Sequence, residues 1–219
     1  MEFCTFSDLS FRDLYHRFAL VDFPVERLAD MVDVPADADG ALVYGYIDVE
    51  AGLSLELLAP ACVATGAVFH DQSFAIAQKK RVTVRSGSVS PTARVVFLDD
   101  QANELAKRYD QHLDMIRTYF DGTPDILRVR AIEELDPLRN RDYPDDVLVR
   151  LFADGLPTEG VWFRLIGSSD DGMLIGTLLN EPDADFPVRV NDVMGLMLLH
   201  APDGTPLLAT EPSLLIESK

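Results

Sequence analysis

Past residue 146 the chain is a series of short apolar runs cut by turns. The runs are Val147–Phe152, Val161–Ile166, Met173–Leu179 and Val193–Leu199, followed by Pro206–Leu208 with Leu214–Ile216. Gly, Pro or paired Asp residues separate them. Strands this short are not stable alone, and at this spacing they are satisfied by pairing on both sides in a curled or closed sheet. Residues 146–219 are therefore expected to form a small C-terminal β-barrel-like domain.

Residues 1–135 read as an N-terminal α+β region with antiparallel strands and a long helix, so the whole chain is expected to be α+β. Phe11, Leu14, Tyr15 and Phe18 make a helical stripe, with Ser10 as its cap. Pro24 suits the first position of a second helix carrying Val25, Leu28 and Met31. Ala41–Val49 is rich in β-formers, and Leu53–Leu58 is too short and apolar to choose between strand and helix. Ala67–Ala77, Lys80–Arg85 and Ala93–Leu98 read as extended. The long helix is expected from Asp99-Asp100 to the stop at Asp121-Gly122. Its stripe would be Leu105, Tyr109, His112, Leu113, Ile116 and Phe120. Ile126–Ile132 reads as a buried strand, and the charged, proline-bearing Glu133–Asp146 as a linker.

Charge narrows the partners. The chain of 219 residues carries a net charge of −18. Such an excess repels nucleic acid and anionic lipid and suits a cationic partner, although solubility alone also explains it. The two cysteines, Cys4 and Cys62, make neither a disulfide framework nor a metal motif. The N-terminus lacks a basic leader ahead of an apolar run, and no apolar stretch reaches the length of a membrane span. These readings place the protein in the cytoplasm, away from membranes. His16, His70, His112 and His200 stand singly, without metal spacing, and His112 reads as a helix-face residue. Neither GxSxG, nor GxGxxG, nor a Walker A sequence occurs. No catalytic residue, metal or cofactor is therefore expected.

The stretch VWFRLIGSSDDGMLIGTLLNEP, Val161–Pro182, holds the only tryptophan. Val161, Phe163 and Leu165 fall on one side of its first strand, and Trp162, Arg164 and Ile166 on the other. Gly176 inside the second strand signals a bulge or a close backbone approach. Trp162, then Gly176, Leu178, Asn180 and Pro182, then Asn191-Asp192-Val193 follow a recurring order. Over Val147–Leu199 the chain resembles the YegJ-like bacterial domain of unknown function. Asn191 stands where that family has Gly, and Asn tolerates positive φ. Gly195 stands where the family has a bulkier residue. The resemblance implies a small β domain without established enzymatic activity. Some of its relatives look like components of toxin–immunity loci, in which small acidic proteins block a toxin.

Trp162 on such a strand is either core or, with Arg164, Asn180, Glu181, Asp183 and Asp185, part of a recognition surface. On the second reading the protein is a non-enzymatic protein-binding module, immunity-like, with a cationic protein partner. The alternative is an enzyme or small-molecule sensor with a site of carboxylates and Arg128 or Arg130 between the two parts. A stable homo-oligomer would instead mark a structural subunit. Lys79, Lys80, Arg81, Arg85 and Arg94 form a locally basic stretch, read as edge-strand protection or as a seat for an acidic partner.

Overall fold

The computed structural model describes residues 2–23, 34–70 and 82–216. The chain divides into two compact units, Met1–Asp121 and Gly122–Lys219. The expected helix from Pro24, the Lys79–Arg81 cluster and the far part of Ala67–Ala77 lie outside the described residues. No helix among those described is long and apolar enough to cross a membrane.

The first unit is built on one antiparallel sheet. Its strands are β1 (Cys4–Thr5), β2 (Phe18–Asp22), β3 (Gly40–Asp48), β4 (Gly52–Cys62), β5 (Ala67–Val68), β6 (Thr83–Arg85) and β7 (Arg94–Phe97). They lie in the order β1-β7-β2-β3-β4-β5, with β6 also paired to β4. The ambiguous Leu53–Leu58 run is thus a strand, the partner of β3 in a long hairpin. The Asp48 carboxylate closes that hairpin by accepting the Glu50 and Ala51 N–H groups at 2.8 and 3.0 Å. Both faces of the sheet are covered, which is why β3 and β4 read as continuous apolar runs. Val21, Val43, Leu55, Leu57 and Val95 meet Phe6, Phe11 and Leu14 on one face. Leu20, Leu42, Tyr44, Tyr46 and Val96 meet Leu105, Leu113 and Ile116 on the other. Leu42 pairs with Ala59 and Val43 with Leu57, so Leu58 is an extra residue that resets which face each side chain enters.

The helices are shorter than the sequence suggests. The Phe11–Phe18 stripe contains α1 (Phe11–Leu14), after which Phe18 already belongs to β2. The long helix is a 3-10 turn, Asp99–Gln101, followed by α2 (Ala102–Arg108) and α3 (Asp110–Tyr119). The interruption is Tyr109, whose φ of −112° and ψ of 24° leave helical geometry. Its ring is buried, and its hydroxyl lies 3.1 Å from His70 Nδ1.

The second unit is a closed barrel of β8 (Asp146–Leu151), β9 (Glu159–Ser168), β10 (Leu174–Leu178), β11 (Val193–His200) and β12 (Pro206–Thr210). Neighbours are antiparallel except β12 and β8, where Leu208 faces Val149 and Thr210 faces Leu151 in parallel. Parity requires this, because in a ring of five strands that alternate in direction the last and first must point the same way. Of Leu214–Ile216, Leu214 ends a 3-10 turn over Pro212–Leu214, and Leu215 makes a single antiparallel bridge to Met194 of β11 rather than a full strand. The interior is filled by Val147, Val149, Phe163, Leu178, Met194 and Leu196, among others.

Ile126–Ile132, expected as a strand, is instead helical. α4 (Pro124–Arg130) starts at Thr123, whose hydroxyl accepts the Ile126 N–H at 3.4 Å, and Pro124 takes the first turn. Glu133–Asp146, read as a linker, includes a 3-10 helix over Glu133–Leu138 with Leu135 wholly buried in the barrel's core cluster. Its charges and those of α4 serve internal pairs. Arg130 is buried and binds Asp145 through two bonds, at 2.8 and 2.6 Å. Arg139 donates to the Pro144 and Val129 carbonyls at 2.6 and 2.8 Å. Asp145→Ala, which removes the carboxylate from a buried ion pair, is expected to lower stability by about 3–5 kcal/mol. Arg130→Met with Asp145→Leu should recover most of that loss, and denaturant melts of the three proteins measure it.

Candidate functional site

Barrel closure sorts the side chains of β9 into two sets. Val161, Phe163 and Leu165 are buried inside, whereas Trp162 is 36 % exposed and Ile166 37 %. Trp162 therefore stands on the outer wall. It has apolar neighbours on both sides. Leu148 of β8, 37 % exposed, is its direct cross-strand partner. Leu179, just past β10, donates its N–H to the Trp162 carbonyl at 2.8 Å. These three make an apolar row across three strands. In the next row Arg164 of β9 faces Asp146 of β8 and Thr177 of β10. Arg164 Nε and Nη2 reach the Asp146 carboxylate at 2.7 and 3.0 Å, and these hydrogen bonds raise its pKa further above the ordinary arginine value. Arg164 is thus an internally neutralised member of the wall rather than a free cation.

The acidic loop is anchored to the same hairpin. Asn180 Oδ1 accepts the Trp162 N–H at 2.8 Å. The Glu159 carboxylate accepts the N–H groups of Asp183 and Ala184 at 2.7 and 2.6 Å. Glu181 accepts the Val190 N–H at 3.3 Å. Phe186 and Val188 turn inward to cap the core, while Glu181, Asp183 and Asp185 are exposed. The segment Glu181–Arg189 curls around an open cleft of about 600 Å³. Trp162, Asn180 and the base of the acidic loop are thus brought into one place, with Arg164 one row away.

Several motif residues have local structural work. Gly176 sits at the register shift of β10, where a Cβ would lie 3.0 Å from Leu196 Cδ1 and 3.2 Å from the Arg164 carbonyl oxygen. Both the bulge and the close approach are present. Asn191 has φ of 76°, the left-handed conformation that glycine or asparagine supplies. Gly195 leaves room for Met173, whose Sδ would lie 2.6 Å from a Cβ there.

Other expected groups are committed elsewhere. Arg130 is enclosed with Asp145, and Arg128 pairs with Asp125 one helical turn away. Arg94 binds Asp22 at 2.8 Å and Asp39 at 3.3 Å, so it offers no free seat for an acidic partner. Among the described residues no three His, Cys, Asp or Glu side chains are grouped to hold a metal ion.

Two carboxylates in the first unit were missed by sequence reasoning. Glu56 is fully buried in β4, with one oxygen 2.9 Å from the Thr83 hydroxyl and the other 3.3 Å from His112 Nδ1. His112 lies on the buried face of α3, as its place in the apolar stripe suggests, and there it meets a carboxylate that the spacing did not announce. The available signal was an acidic residue in the middle of the apolar run LSLELLAP. The second is Asp121, which the pattern gave only as a helix stop. It is buried, accepts the Tyr15 hydroxyl at 3.1 Å and lies 2.6 Å from His16 Nε2.

Comparison with known protein families, characterised proteins and solved structures finds no match.

The geometry sets two expectations. Trp162→Ala should cost only about 1 kcal/mol in a thermal melt, whereas Phe163→Ala beside it should cost about 3–5 kcal/mol. Alkaline titration should also single out two phenols. Burial raises Tyr44 and Tyr109 from 10.0 to about 12, with Arg117 opposing it at the first and Arg108 at the second. In the unfolded chain both ionise near the ordinary tyrosine value of 10.0, while the folded unit keeps both protons until about 12. Their stabilising contribution is therefore complete below the lower value and lost as pH rises through the upper one. Tyrosinate absorbance and melts recorded across that window measure both effects.

Proposed function

We propose that the protein is a non-enzymatic binding module for a cationic protein, and that the outer wall of the barrel is its recognition surface. The observation that carries this reading is the outer-wall apolar row of exposed Leu148 and Trp162 with half-buried Leu179, joined through Asn180 to an acidic loop whose backbone is fixed. An exposed tryptophan beside leucine supplies apolar contact area, and Glu181, Asp183 and Asp185 supply a rim attractive to lysine and arginine. The net charge of −18 speeds the encounter with a basic protein and suppresses acidic partners. An immunity-like role, in which the module covers a basic toxin, is the form of this function that the YegJ-like resemblance suggests. A small-molecule site using Arg128 or Arg130 is less favoured, because both guanidinium groups already hold an aspartate.

Affinity capture from the native host tests this reading. A basic protein should be retained by the wild type at low salt, be released as salt rises, and be lost from the folded variant Trp162→Ala/Glu181→Ala/Asp183→Ala. Equal retention by wild type and variant would move the interface off this wall. Retention of a small metabolite instead, seen by native mass spectrometry, would favour a sensor or enzyme.

A further inference from the structure

The four histidines differ in which ring nitrogen is engaged. His70 and His112 each turn Nδ1 to a partner, Tyr109 and Glu56. His16 does the opposite. Its Nε2 lies 2.6 Å from Asp121 Oδ2, and its Nδ1 makes no hydrogen bond among the described residues. A carboxylate only accepts, so the neutral ring carries its proton on Nε2 and leaves the lone pair on Nδ1. The Asp121 side chain is 6 % exposed and the His16 side chain 40 %. The carboxylate is thus shielded while the imidazole reaches solvent.

The ring is also held in place. Tyr15 stacks on it with centroids 3.9 Å apart and planes at 25°, and the Tyr15 hydroxyl donates to the other oxygen of Asp121. Tyr44 lies on a further side at 6.0 Å. The backbone of His16 is left-handed, with φ of 57°, which residues other than glycine seldom adopt. Gly45 fixes it. The Gly45 carbonyl accepts the His16 N–H at 2.8 Å, and its own N–H donates to Arg17 at 3.1 Å. A Cβ at Gly45 would lie 2.1 Å from the Leu14 carbonyl oxygen, so only glycine permits this approach.

We propose that His16 is a phosphoryl-accepting histidine that reacts at Nδ1 with phosphoramidate-type or acyl-phosphate donors. With a small, activated donor such a residue needs only an oriented nitrogen that reaches solvent and a group to neutralise the cation that forms. In the step, the Nδ1 lone pair attacks phosphorus. With phosphoramidate the bond from phosphorus to its protonated nitrogen breaks, the electron pair leaves with the nitrogen, and ammonia departs; with an acyl phosphate the P–O bond breaks and a carboxylate departs. The ring keeps its Nε2 proton and becomes cationic, and Asp121 neutralises that charge as it develops. His200 is the internal control. It also sets Nε2 against a carboxylate, that of Glu134, but both partners are about half exposed, at 51 % and 45 %. Water screens that pair.

The test is incubation of the intact chain with phosphoramidate, followed by phosphorus NMR and peptide mapping. The expected product is Nδ1-phosphohistidine at His16, formed about ten-fold faster than at His200. It should be absent from His16→Gln. Asp121→Asn, which keeps a hydrogen-bond acceptor but removes the charge, should slow it about ten-fold, the difference between a charge-assisted and a neutral hydrogen bond. Thermal melts check that both variants are folded, and the wild-type comparison of His16 with His200 tests the proposal without them. Modification of His16 no faster than His200, or on Nε2, overturns the proposal. An unchanged rate in folded Asp121→Asn overturns the role of the carboxylate.

Discussion

Closure of the five-stranded barrel is the constraint from which the candidate site follows. A ring this small has room for one side chain of every two along each strand, and Phe163, Leu165, Leu178 and Leu196 take that room. Gly176 is part of the same economy, because a side chain there would meet Leu196. Once Phe163 is inside, its neighbour Trp162 must be outside, whatever its hydrophobicity. A large apolar residue is thus displayed by the packing of its neighbours, and Asn180 ties the acidic loop to the strand that displays it.

The two units place their charges differently. In the sheet unit, Glu56 and Asp121 are buried with histidine partners. In the barrel unit, Arg130 and Arg139 hold the segment before β8 against the core, and the acidic loop remains in solvent. A stretch that is polar because it solvates itself looks, residue by residue, much like one that is polar because its members bind one another. Glu133–Asp146 is of the second kind.

That ambiguity shows how much was legible in the sequence. The barrel was legible, because short strands with period-two alternation and turn residues leave few alternatives. The sidedness of β9 and the irregularity at Gly176 were legible for the same local reasons, whereas the left-handed turn at Asn191 was expected only by way of the family resemblance. The location of Trp162 was not, because Ile166 and Leu148 make the outer wall nearly as apolar as the interior. α4 was misread because ILRVRAI is too short to distinguish helix from strand, although Thr123-Pro124-Asp125 carried the helix start. Tyr109, where the helix breaks, is buried and meets His70, a residue distant in sequence. The roles of Glu56 and Asp121 depend on which histidines the fold brings to them, and no spacing announces that.

The most direct measurement is acrylamide quenching of the fluorescence of Trp162, the only tryptophan. It should be made on the free chain and again after adding the protein that the chain captures. The account predicts ready quenching in the free chain and strong protection in the complex, reversed by salt. A tryptophan already shielded in the free chain, or one equally quenched with the partner bound, would contradict the assignment of the outer wall as the recognition surface.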